Sequence, residues 1–102
     1  MEEGNSITVQ YNRKALHDID QIEQYISEKG YPETAKSYIN RLMAHTQTLT
    51  NMPQRNTLCK NPEFARKNFH CSVFEETYII VYSITKTLIS VKRVIHGSRL
   101  NY

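Results

Sequence analysis

An α+β fold, with a small antiparallel β-sheet packed against an N-terminal α-helical hairpin, is what this 102-residue sequence predicts. Three observations carry the expectation. Two amphipathic helical stretches follow one another before Pro53, the connection between them is only a few residues long, and residues 77–96 are dense in β-branched and aromatic side chains. The expected order along the chain is β-α-α-β-β-β, and the length suits one domain spanning 1–102.

Taken in order, Ile7 to Tyr11 alternates with period two and reads as a short strand. Asn12 follows as an N-cap, because its side-chain oxygen can accept from an orphan amide of the next turn. Leu16, Ile19, Ile22 and Ile26 recur at spacings of three and four, which places them on one stripe of a first helix that closes at Gly30. Pro32 opens the second helix, where a missing amide hydrogen costs nothing. Ala35, Tyr38, Ile39, Leu42, Thr46 and Leu49 form its apolar stripe, and Asn51 and Pro53 end it.

Residues 53–63 carry two prolines and read as a long loop. Phe64 to Glu75 then reads as a strand, with Glu75-Glu76-Thr77 turning into a hairpin. The hairpin pairs Tyr78–Ile84 with Leu88–His96 across a short polar loop, Thr85-Lys86-Thr87, and Gly97 ends the ladder. Strict alternation along its second strand puts Ile89, Val91, Arg93 and Ile95 on one face and Leu88, Ser90, Lys92, Val94 and His96 on the other.

Composition bounds the function classes. At 39% hydrophobic and 23% charged the chain is too apolar for a disordered one, and no run approaches the roughly 20 apolar residues that cross a bilayer. The acidic opening MEEGNSITV lacks the basic start and greasy centre of a signal peptide, so a cytoplasmic protein with no membrane partner is expected. In a reducing compartment Cys59 and Cys71, which form no C-x-x-C pair, are expected as free thiols. His17, His45, His70 and His96 sit on different elements without ligand spacing, so no metal site is expected. A phosphate-cradling glycine loop and a nucleophile elbow are both missing, and no cofactor is expected.

The net charge of +3 permits an anionic partner without demanding one. Arg66, Lys67, Lys92, Arg93, His96 and Arg99 are expected near one sheet edge, able to hold phosphates or simply to keep that edge soluble.

The pairing of YIIVYSI with ISVKRVIHGSR, after two amphipathic helices and a strand carrying Arg66, resembles the RelE/ParE superfamily of bacterial toxins from type II toxin-antitoxin systems. RVIHGSR, Arg93 to Arg99, is similar to the ending common in ParE-like members, and the resemblance spans Ile7 to about Arg99. It implies a toxin held inactive by a cognate antitoxin. ParE-like members inhibit DNA gyrase by binding, whereas RelE-like members are ribonucleases that cut mRNA on the ribosome.

Members that cut commonly carry an arginine directly after the first tyrosine of the Y-x-x-x-Y strand, and here that position is Ile79. A neutral side chain cannot balance the charge building on a phosphate, so the resemblance implies a gyrase-binding toxin, with Arg93, His96 and Arg99 facing the target. A ribonuclease alternative would have to use Arg66, His96, Arg99 and Tyr102. An acidic antitoxin tail is expected on Tyr78, Ile80, Tyr82, Ser90, Lys92 and Val94, by strand addition or as a helix in a groove.

Overall fold

The computed structural model describes residues 7–51 and 56–100. Strand β1 (Thr8–Tyr11) leads into helix α1 (Arg13–Glu28), whose first turn is capped by Asn12 Oδ1 accepting from the Ala15 amide at 2.9 Å. Gly30, at φ 90°, takes the left-handed conformation that lets the chain leave α1 and enter helix α2 (Pro32–Thr48). The expected apolar stripe of α2 is buried or half-buried throughout. The stripe of α1 holds Ile19, Ile22 and Ile26 as expected, but Ala15 replaces Leu16 at its start. Ala15, Ile19, Ile22 and Ile26 face inward, while Leu16 is 51% exposed, because a step of about 100° per residue carries position 16 out of line with 19, 22 and 26. Thr46, fully buried, is tolerated because its hydroxyl donates to the Met43 carbonyl at 2.7 Å and meets the Tyr11 hydroxyl.

The sheet contains β1, β2 (His70–Phe74), β3 (Tyr78–Ile84) and β4 (Leu88–His96) in the order β1-β4-β3-β2. The three C-terminal strands are antiparallel, as expected, and β1 joins β4 in parallel, with Thr8 opposite Leu88. A parallel neighbour needs a crossover, and the α1–α2 hairpin is part of it. Residues 75–77 connect β2 and β3, with Glu75 and Glu76, both at positive φ, as the central pair of a tight turn closed by Thr77 N–H donating to Phe74 O at 3.0 Å.

The expected strand from Phe64 to Glu75 is corrected over its first half. Residues Pro62–Arg66 form a short helix, α3, because Asn61 caps the amides of Glu63 and Phe64 and Pro62 supplies a helical φ. Asn68 at φ 61° then reverses the chain, and β2 begins only at His70. Pro53 lies outside the described residues.

Each face of the sheet has its own core. Ile80, Tyr82, Ile89, Val91 and Val94 point toward α1 and α2 and pack against Ile19, Ile22, Leu42 and Leu49. On the other face Ile79 and Val81 pack with Cys59, Phe64, Phe69, Ile95 and Leu100 beneath α3. The two cysteines are disulfide-bonded with Cα atoms 5.0 Å apart, which overturns the expectation of free thiols. Residues 57–59 run antiparallel beside the start of β2, with Leu58 bridged to His70, and this brings the cysteines within bonding reach.

The alternation expected along β4 also fails at one point. Val81 pairs with Arg93 and Tyr82 with Val91, leaving Lys92 as the extra residue of a bulge. Beyond it the faces exchange, so Val94 joins the helix-side core and Ile95 the opposite one.

Candidate functional site

A groove of about 790 Å³ runs between the outer side of α1 and the end of β4, continuing onto a closing 3₁₀ turn, Gly97–Arg99. Its floor is apolar, from Ile22, Ile26 and Val94. Tyr25, Tyr38 and Tyr78 line it, and His17, His96 and Arg99 bring the basic groups. Periodicity explains the α1 contribution, since His17, Gln21 and Tyr25 are spaced by four and form a second stripe beside the buried one.

One internal ion pair shapes the groove. Arg93 Nε and Nη2 donate to the two carboxylate oxygens of Asp18 at 2.8 and 3.1 Å, and the Val94 amide donates to Asp18 Oδ2 at 2.9 Å. This bidentate contact couples α1 to β4 across 75 positions of sequence, and the Asp18 hydrogen bond raises the Arg93 pKa further above its usual value. Asp18, the only carboxylate among the described residues that line the groove, is thereby held against an internal cation.

Tyr78 holds its proton to higher pH than an ordinary tyrosine. Burial is the main cause and the field of Tyr25 adds to it, while Arg99 pulls the other way. At neutral pH it is a neutral hydroxyl on an aromatic wall. Its ring meets the His96 ring edge-on at 5.3 Å. His96 Nδ1 accepts from the Ser98 amide at 3.1 Å and lies 2.8 Å from the Ser98 hydroxyl, so the imidazole secures the turn that presents Arg99.

The expected target-facing residues are brought together here, since Arg93, His96 and Arg99 all line the groove. They are not equivalent. Arg93 is held by Asp18 and His96 by Ser98, whereas Arg99 is exposed and forms no ion pair with a described residue.

The residues expected for a ribonuclease are not assembled. Arg66 ends α3, which covers the opposite face of the sheet from the groove containing His96 and Arg99. Tyr102 lies outside the described residues.

The expected antitoxin face needs correction. Ile80, Tyr82 and Val94 are buried against the helices, Ser90 points to the other face, and Lys92 reaches over Phe69 there. Of that set Tyr78 lines the groove wall and Val94 its floor. Strand β3 pairs one edge of β4 along its length, β1 takes the other from Leu88 to Val91, and beyond it the Val94 amide is already held by Asp18. Missed from the sequence as site residues were His17, Asp18 and Tyr25, which lie along one side of α1, and Tyr38, which was read only as part of the α2 core stripe.

Among the described residues no group of three or more His, Cys, Asp or Glu side chains gathers to hold a metal, and no helix is long and apolar enough to cross a membrane.

The open sheet, the helical hairpin on one face and the groove at its edge have the build of the small α+β toxins of toxin-antitoxin systems. Residues 9–101 match ParE toxin of type II toxin-antitoxin system, parDE, and the chain belongs to that family. It is also similar to a solved structure described as "Chromosomal ParDE TA system from P. aeruginosa", with a TM-score of 0.75 at 14% identity, over 91% of this chain and 98% of that one. At such identity the likeness speaks to the fold. No match is found among curated proteins. A toxin of this system type has an antitoxin as its partner.

Proposed function

We propose that this toxin inhibits DNA gyrase by docking onto it through the Arg99 end of the groove, and that its antitoxin silences it by filling the same groove. The observation that supports docking over bond cleavage is Ile79. It is 1% exposed within the second core, between β-sheet and α3, where an aliphatic side chain packs and a cation would be stranded without solvent or counter-charge.

The groove suits an acidic amphipathic helix. Ile22, Ile26 and Val94 offer an apolar seat, three tyrosines supply area at low entropic cost, and Arg99 with the two histidines favours carboxylates on the rim. Because one groove serves both partners, neutralisation is by occlusion.

Induced expression in a bacterium, scored for DNA breaks and transcript integrity together, tests the reading. Double-strand breaks with intact transcripts are expected, and rapid loss of mRNA without breaks overturns it in favour of RNA cleavage. Arg99→Ala, which removes an exposed side chain, leaves the fold intact and weakens target binding roughly 30-fold, the size of a central arginine contact.

A further inference from the structure

On the other side of the Asp18–Arg93 pair lies a second cleft of about 430 Å³, lined by Lys14, Phe64, Lys67, Phe69 and Lys92 together with Asn12, Glu63 and Arg93. We propose that this cleft binds single-stranded nucleic acid, with Phe69 stacking on a base and Lys14, Lys67 and Lys92 contacting phosphates.

Three observations carry it. Lys67 and Lys92 place their ammonium groups 5.9 and 5.6 Å from the Phe69 ring centre, so cations converge on one half-buried aromatic ring. Phe64 stands beside that ring at 6.0 Å, tilted by 36°, and backs it. Cations around a supported aromatic surface are what a base and its flanking phosphates require, since every base has a π-face and every linkage a negative charge.

The second observation is the charge balance. Among the described residues Glu63 is the cleft's single carboxylate, and it lies 3.7 Å from Lys67 in a pair exposed on both sides and therefore weak. No described carboxylate pairs with Lys14 or Lys92. Arg93 adds nothing to the surplus because Asp18 neutralises it.

The third is the start of α1. Its first turn holds Arg13 and Lys14 and no acidic residue, so positive side chains sit at the positive end of a 16-residue helix. That arrangement is self-repelling in the free protein, and a bound phosphate relieves it.

Fluorescence anisotropy on the full-length protein tests the proposal, with labelled oligo-dT, oligo-rU and a DNA duplex of equal length as probes. Saturable binding of single strands is expected, weakening roughly 20-fold between about 50 and 200 mM salt if three phosphates are contacted. The dT and rU arms identify which kind of strand is preferred. Lys14→Ala combined with Lys92→Ala should flatten the salt dependence. Phe69→Leu, which keeps an apolar side chain in the second core, should weaken binding roughly tenfold through lost stacking. Circular dichroism checks that each variant is folded. Undetectable binding at low salt overturns the proposal, as does equal binding of duplex and single strand, unchanged affinity in folded lysine or Phe69 variants, or equal competition by poly-glutamate.

Discussion

The two faces of the sheet are closed by different physics. On the helix side, long neighbouring helices bury a continuous cluster of aliphatic and aromatic side chains, and Tyr82, Leu42 and Leu49 have no exposed surface. On the other side the cover is a five-residue helix and an irregular segment, too little on their own to shut a core. A covalent bond between Cys59 and Cys71 makes up the difference, fastening the segment to the edge strand. One face is therefore held by burial alone and the other by a smaller buried cluster reinforced by a crosslink. Each borders a different groove, and the Asp18–Arg93 pair divides them.

Several experiments break or sharpen that contrast, and they differ in expected size. Leu42→Ala removes a fully buried side chain from the helix-side core and should cost about 2–5 kcal/mol in chemical denaturation, with the spread set by how far the site collapses. Paired Cys59→Ser and Cys71→Ser changes, or a dithiol reductant, should cost about 2–3 kcal/mol by releasing a loop closed across 12 positions. The reductant should leave the double variant unmoved. Hydrogen exchange should rise around Phe69 and Cys71 while α1 and α2 stay protected, and uniform loosening of both faces would show that the contrast is wrong.

Asp18→Asn addresses the boundary itself. It leaves Arg93 without its counter-charge, and since Asp18 is largely buried a loss of about 1–3 kcal/mol is expected by thermal melting. The smallest effect concerns the β2–β3 turn, which Arg41 of α2 contacts. Glu75 titrates below its usual value of 4.5 because Arg41 donates to it, with Nε at 2.8 Å. A lowered folded-state pKa stabilises above the unfolded value, and that contribution is lost as pH falls through the folded value. Both side chains are exposed, so the acid-side drop in denaturation midpoint should be slight, disappear at high salt, and be absent in Arg41→Gln.

Local signals were legible where one physical cause acted within a few residues. Asn12, Gly30 and Pro32 mark helix ends through their own hydrogen bonds and backbone limits, and the structure places those ends accordingly. The strand reading misled at Phe64–Phe69, where apolar and polar residues do not alternate and the Asn61 cap with Pro62 starts a turn of helix instead. Alternation misled after Val91, where a single extra residue, Lys92, exchanged the faces and sent Ile95 to the opposite core. Half of the groove was foreseen in Arg93, His96 and Arg99, whereas the α1 half was not, because nothing near Asp18 in the chain announces a partner 75 positions away.

From the order of residues alone came the α+β class, the helical hairpin, the β3–β4 hairpin and the basic ending at Arg99, since each depends on propensity, periodicity or identity at one place, while the resemblance to the toxin superfamily gave Ile79 its meaning. The disulfide, the bulge, the Asp18–Arg93 contact and the division into two grooves emerged only on folding. All four are set by distances between segments far apart in the chain, and such distances exist only once two separate cores have closed on the two faces of one sheet.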